Sequence, residues 1–411
     1  MTRMTASTST SGWMERLSGL VDLERSRDFH GGRVVVDRGR MEALLAALPA
    51  LPWPRVSVHV AGSEGKTSTT EFVAAGLGAL GLRTATYTSP HLRDVRERLR
   101  VGGDWPPDGL LDRALSAVES AASRAGLAPT YFEFLTAAAR VLYAEAGVDA
   151  VVWETGLGGR LDATRCMQVE ACAITSISLE HTSILGTTLP AIAAEKAGIL
   201  RPHAPVALGA GVPAAARTVI ERRARQLGCP VASLPLAAAT RDALDPAAEN
   251  RALARLVLDQ LAASGRVPPR TAAVDAAIDG HVVEGRWQRV GDVLFDGAHT
   301  VASMQRLAAR LAREPVGAVV FGATSGRDVA AMLAPLEPLR RPLVLTGLPT
   351  ERGVPTAELR AAVPAGLAAQ AVAVDAPAAA LDRARRLAGG GPIVVTGSLY
   401  LVGCLLDGAT G

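Results

Sequence analysis

Residues 58–72 read VHVAGSEGKTSTTEF, an apolar run that breaks into glycine and then into a helical pattern. Glycines at positions 62 and 65 let backbone N–H groups turn toward an anion, and the helix that follows adds the positive end of its dipole. Lys66 supplies a point charge for β- and γ-phosphates, and Thr67 or Ser68 offers a hydroxyl to Mg²⁺, directly or through water. The full pattern GxxxxGK[ST] asks for glycine at position 60, where this chain has Val60. Taken alone, the stretch points to a nucleoside triphosphate and says nothing of the reaction. A plain structural turn is the other reading.

Working outward, short apolar runs alternate with longer helical patterns, the signature of a doubly wound parallel sheet. Strands are predicted at Val56 to Ala61, Thr84 to Thr88, Ala150 to Trp153 and Ala171 to Ile177, with helices at Thr67 to Leu80 and Phe132 to Ala146. A second set of strands is predicted at Val293 to Asp296, Ala318 to Gly322, Leu343 to Gly347, Ala371 to Val374 and Ile393 to Gly397. Between the sets lie an Ala-rich helix around Asn250 to Ala263 and a loop-like stretch, GRVPPRTAAVD, at 265–275. The pattern predicts two α/β domains, 1–282 and 283–411, joined near Asp279 to Arg289. The first, with the P-loop-type phosphate loop, reads as a nucleotide-binding domain and is about twice the size of the second.

At 411 residues the chain is long enough for two or three domains, at roughly 100 to 200 residues each. Net charge is +3 with both signs interspersed, and no basic run carries interleaved aromatics, so nucleic acid is not the expected partner. No window approaches 18 consecutive apolar residues, which argues against a membrane span. Cys166, Cys172, Cys229 and Cys404 form no metal-ligand spacing, and a reduced cytoplasmic setting suits them. The Ser/Thr-rich residues 1–12 lack an apolar core and read as a frayed tail rather than a secretion signal.

One bias is informative. The chain has 43 Lys+Arg, of which only Lys66 and Lys196 are lysines. A surface cation can be Arg as readily as Lys, so retained lysines mark places where an amine is required. Lys196 lies about fifteen residues past His181, beyond a predicted strand end where α/β sheets assemble sites. An amine can titrate, act as a nucleophile or capture CO₂ as a carbamate, none of which a guanidinium does at ordinary pH. A helix-surface lysine beside Glu195 is the alternative. Ser89, His91, Glu133, Glu154 and His181 are further candidates, an oxygen-rich set that suits Mg²⁺. Each singly has an innocent reading as a turn, a helix first-turn acid or a capping histidine.

Together the residues spell a family. AGSEGKTST (61–69), YTSPHLRDVRERLRVGG (87–103), PTYFEFLTA (129–137), ETGLGGRLDAT (154–164) and SLEHTSILGTTLPAIAAEKAGIL (178–200) occur in that order. VEGRWQ (283–288), LFDGAH (294–299), VVFGA (319–323) and VVTGSLYLVG (394–403) follow. This ordered set resembles the folylpolyglutamate synthase and dihydrofolate synthase family, a branch of the Mur ligases. The resemblance implies that Gly62, Ser63, Gly65, Lys66, Thr67 and Ser68 bind ATP phosphates, and that Ser89, Glu133 and His181 bind Mg²⁺, with two ions in all. It implies that Lys196 is carbamylated and helps position a magnesium ion. Asn250, Arg286, Asp296 and His299 would face the nucleotide, Asp296 at the ribose and Arg286 near the phosphates, with the Rossmann-like second domain closing over ATP. Catalysis would rest on Lys66, His181 and Lys196.

The chemistry implied is an ADP-forming amide ligation. ATP phosphorylates a carboxylate, and an amine, most simply that of L-glutamate, attacks the acyl phosphate of dihydropteroate or a folate. The resemblance also implies a monomer acting on small molecules. Departures from the family's common pattern are Glu64 for Asn and Thr67 in the phosphate loop, Thr155 for Val, Arg165 for Asn, Glu180 for Asp, and Thr300 for Asn. None removes a metal or ATP position, but several fall where a substrate is selected. Two other readings are therefore carried: a paralogous ligase acting on a non-folate carboxylate, and an inactive nucleotide-binding regulator, which would be expected to lack Lys196 or His181.

Overall fold

The computed structural model describes residues 12–21, 38–235 and 246–409. Apart from Gly12, the stretch read as a frayed tail lies outside the described residues. The chain divides into two compact units, each with its own sheet. Among the described residues the first takes in 12–21, 38–89, 98–235 and 249–279, and the second 90–97, 246–248 and 280–409.

The first unit holds seven strands: β1 (Val56–Ala61), β2 (Thr84–Tyr87), β3 (Leu99–Val101), β4 (Ala150–Glu154), β5 (Ala171–Ser176), β6 (Val206–Gly211) and β7 (Val231–Ser233). Their order is β3-β2-β4-β1-β5-β6-β7, parallel throughout except where β3 pairs antiparallel with β2. All six residues of β1 are buried, as expected of a central parallel strand covered on both faces. After β4 the chain crosses to the far side of β1 to form β5. That reversal puts a topological switch point at the carboxyl ends of β4, β1 and β5, the usual place for a ligand in such sheets.

Helix starts follow local chemistry. Thr130 caps Tyr131–Glu145 with a capping box in which Glu133 answers the Thr130 amide. Thr188 caps Leu189–Lys196, with Pro190 in its first turn, and so sets where Lys196 emerges. The stretch 265–275, expected to be a loop, instead starts the helix Ala272–Gly280, where the Thr271 hydroxyl accepts from the Val274 amide. Turn residues at Pro268 and Pro269 had hidden the cap that follows them.

The second unit contributes β8 (Gln288–Val290), β9 (Val293–Phe295), β10 (Ala318–Phe321), β11 (Leu343–Leu345), β12 (Ala371–Ala373) and β13 (Ile393–Thr396). Their order is β12-β11-β10-β13-β9-β8, with only the β8–β9 pair antiparallel. Its core packs Val293, Phe295, Val320, Val344 and Val395 on one side of the sheet, and Leu294, Val319, Phe321, Leu345 and Val394 on the other. Among the described residues no helix is long and apolar enough to cross a membrane.

Candidate active site

The carboxyl ends of β2, β4, β1 and β5 present, side by side, Ser89, Glu154, the loop 62–65 and the segment 176–181. The loop is shaped by its two glycines. Gly65 has φ +82°, and a Cβ there would come within 2.4 Å of the Asn250 Oδ1; a Cβ at Gly62 would strike the Thr175 hydroxyl. Asn250 also accepts from the Thr69 hydroxyl at 3.4 Å, so this side chain, expected near the nucleotide, sits against the phosphate loop. Ser63 accepts from the Ser178 amide and donates its own amide to Ser176 O, tying the loop to the end of β5. Glu64 is anchored through its backbone, its carbonyl accepting from the Thr175 and Ser176 hydroxyls.

The two lysines meet. Lys66 Nζ donates to Gly62 O at 3.0 Å and to Ser63 O at 3.2 Å, while Lys196 Nζ reaches the same Gly62 O at 2.9 Å. Lys196 is 2% exposed and pairs with Glu180 at 2.8 Å, so the helix-surface reading of this residue is excluded. Burial pushes its amine down to about 8 against the opposing pull of Glu180, and the charge of Lys66 adds to the lowering. Burial alone would raise Glu180, but the ammonium groups of Lys196 and Lys66 outweigh it and hold the carboxylate at about 2.

The two candidate acids, Glu154 and Glu133, differ in what they hold. Glu154, at the end of β4, accepts from the Thr67 hydroxyl at 3.0 Å through both oxygens and from the Ser89 amide at 3.3 Å. Glu133 is engaged elsewhere: Arg40 grips both its oxygens at 2.8 and 2.9 Å, and Thr130 donates to it through amide and hydroxyl. Of the two, Glu154 is the carboxylate set between the phosphate loop and Ser89. His181 is exposed and holds a left-handed backbone, φ 44°, at the start of the short helix Thr182–Leu185. Ser68 is buried in the first turn of its helix. Among the described residues no three His, Cys, Asp or Glu side chains converge into a ready metal cage.

A polar network lies under this site. His59, fully buried on β1, places Nε2 2.8 Å from the Thr164 hydroxyl and 3.2 Å from that of Thr155. Its Nδ1 has no hydrogen-bond partner among the described residues. Burial, with the charge of Arg165 second, lowers this imidazole to about 3. Asp162 accepts from the Leu157 and Thr164 amides and the Thr164 hydroxyl, and so shapes the turn GLGG at 156–159. Thr155 and Arg165 thus have structural duties, the latter donating to Gly198 O.

The second unit assembles a separate group. Asp296 accepts from the Trp287 amide at 3.1 Å and the Ala298 amide at 3.0 Å; burial raises its carboxyl against the pull of Arg286. A Cβ at Gly297 would come within 2.3 Å of Arg286 Nη1, so the glycine of DGAH leaves room for that guanidinium. His299 Nδ1 lies 2.8 Å from Gly297 O. Thr300 caps the helix Val301–Leu311 in a box with Ser303, which gives this departure a local role. All four cysteines are free.

Its relatives decide the family. The dihydrofolate synthase/folylpolyglutamate synthase of Escherichia coli is 30% identical over 347 residues, covering 80% of this chain and 79% of that protein. The chain belongs to the dihydrofolate synthase/folylpolyglutamate synthase family. Residues 285–399 also match the family described as Mur ligase, glutamate ligase domain. Other relatives in this family are longer or match over less. A probable bifunctional folylpolyglutamate synthase/dihydropteroate synthase of Halobacterium salinarum is 46% identical over 147 residues, 34% of this chain and 18% of that one.

Solved structures of the family agree over nearly the whole length. E. coli FolC in complex with DHPP and ADP superposes with a TM-score of 0.80 at 27% identity, over 96% of each chain. The bifunctional folylpolyglutamate synthase/dihydrofolate synthase of Yersinia pestis, complexed with AMPPNP and Mn, has a TM-score of 0.79 at 27% identity over 97% of each. Sequence reasoning in this family missed three participants: Glu180 as the partner of Lys196, Arg40 as the partner of Glu133, and the His59 network. In the sequence Glu180 stands out only as a departure from the common Asp. Its position one residue before His181 was the signal.

Proposed function

We propose that the chain is an ADP-forming amide ligase that uses ATP to join glutamate to dihydropteroate or to a folate. The observation that carries this reading is the meeting of Lys66 and Lys196 on one carbonyl, because it makes the phosphate loop and the second lysine a single site. A simple P-loop ATPase has no use for a buried amine there. A carboxylate does not react usefully with an amine at neutral pH until it has a leaving group. Transfer of the γ-phosphoryl from ATP to the carboxylate supplies one. The amine of glutamate then attacks the acyl carbon, and the tetrahedral intermediate collapses to amide and inorganic phosphate. Phosphoryl transfer is mainly positioning plus electrostatics, so Lys66 and the loop amides would hold the triphosphate and offset its charge.

The donor set fits a hard cation. Glu154 is 1% exposed and holds its carboxylate between the Thr67 hydroxyl and the Ser89 amide, an oxygen-rich setting beside the phosphate loop that suits a divalent ion. Bound Mg²⁺ would draw charge from the phosphate oxygens. Glu154, the hydroxyls of Thr67 and Ser89, and His181 are the residues we assign to hold it, with Glu133 in a supporting role through Arg40. For Lys196 we propose carbamylation. An amine at about 8 keeps roughly a tenth of its population neutral at pH 7, enough to capture CO₂. The resulting negative charge would lie beside Glu180, so Lys66 and the metal would have to offset it. Arg286, Asp296 and His299 are assigned to the nucleotide, and the reaction to the cytoplasm.

Purified protein with ATP and Mg²⁺ tests the reading against dihydropteroate, tetrahydrofolate and unrelated carboxylates, each with a panel of amino acids. Phosphate release and product mass are measured. Glutamate-dependent mass gain on a pterin is expected. Turnover on another acid with every pterin inert would favour the non-folate paralogue, and ATP binding without turnover on any pair would favour the regulator.

A further inference from the structure

The residues that lead into β1 and β4, with β4 itself, border a cavity that none of the phosphate-loop residues line. Its volume is about 200 Å³, and Pro52, Trp53, Pro54, Arg140, Tyr143 and Trp153 are among its walls. Arg140 projects from the helix Tyr131–Glu145 and is only 5% exposed. One of its nitrogens, Nη2, donates to Leu51 O at 2.7 Å, and its Cζ lies 4.0 Å from the centre of the Trp53 ring. Among the described residues no carboxylate pairs with it, and no other protein acceptor takes its remaining donors. Trp153 is 1% exposed, and its indole N–H has no partner either.

A guanidinium taken out of water without a counter-ion is costly, and an aromatic face with one carbonyl compensates only part of that cost. Burial accordingly lowers Arg140 to about 10. Such a group is stabilised by an anion. The walls further restrict which anion. Three aromatic side chains and two prolines suit a flat ring, and a planar fork of N–H donors suits a carboxylate held by two parallel bonds. The space is adequate, since a cavity of about 150 Å³ accepts benzene. We propose that this cavity is a second ligand site, separate from the phosphate loop, that takes a small aromatic carboxylate of about the size of benzoate.

The site is assigned independently of the ligase reading and is tested on the full-length protein by calorimetric titration, with benzoate as the probe. Benzamide, acetate and inorganic phosphate serve as controls. Benzoate should bind saturably and about tenfold or more tighter than benzamide, the scale of one charge-assisted pair. Arg140→Lys keeps the charge but loses the fork, and should weaken benzoate about tenfold. Trp53→Leu alters a wall that is 37% exposed and so threatens folding little; it should weaken benzoate about threefold to fivefold. ATP affinity should be unchanged in both. Absence of saturable benzoate binding overturns the proposal, as do equal affinities for benzoate and benzamide, equal affinities for benzoate and phosphate or acetate, or benzoate binding undiminished in both variants.

Discussion

Lys196 and Glu154 are the residues on which the proposed chemistry turns most directly. Lys196→Arg keeps the positive charge near Glu180 but removes the amine, so ligation should fall at least about 100-fold, the scale of losing one charge-stabilising group in a site. A melting temperature near that of the parent would show that the fold survives. ADP formation at close to the normal rate would mean that the amine has no chemical part. The two acids separate by a paired measurement. Glu154→Gln should raise the Mg²⁺ concentration needed for half-maximal activity by about tenfold to 100-fold. Glu133→Gln breaks the buried grip of Arg40 and should cost about 1–3 kcal/mol of stability in chemical denaturation. It should leave the Mg²⁺ requirement near normal. The reverse pattern would restore Glu133 as the metal carboxylate.

At the scale of the element, the loop 62–65 and the helix Lys66–Ala79 act as one anion-binding unit whose shape depends on Gly65. Gly65→Ala should weaken nucleotide binding about tenfold or more, because the residue has φ +82° and its Cβ would push into Asn250. In an Asn250→Ala background the collision is gone while the backbone strain stays. The two changes should therefore be non-additive, which a double-mutant cycle of ATP affinities reads directly. Additive losses would show that Asn250 does not press on the loop. This element was legible in the sequence because glycine, lysine and a strand-to-helix switch are local signals. The helix Ala272–Gly280 was not, since two prolines resemble a loop until the Thr271 cap is seen. Glu133 and Glu154 were both visible as candidates. Which of them faces Thr67 depends on where Arg40 lands, 93 residues away in the chain from Glu133, and periodicity carries no information about that.

At the scale of the whole molecule, the buried His59 couples folding to acidity. Its folded-state value of about 3 lies below the ordinary 6.5, so below that pH the unfolded chain binds a proton that the folded chain refuses. The stability is intact above pH 6.5 and is lost as pH falls toward 3, by up to about 5 kcal/mol. Between pH 6 and 4.5 unfolding free energy should fall about 1.4 kcal/mol per pH unit more steeply than in His59→Gln. Parallel slopes for the two proteins would show that His59 is not the source. The paired amines have a spectroscopic consequence at this scale too. Feeding isotopically labelled lysine to the producing cells would place just two labelled side chains in all 411 residues. Both lie on Gly62 O, so a magnetic-resonance spectrum of the intact protein would hold two side-chain signals, each a local witness to nucleotide arriving and leaving.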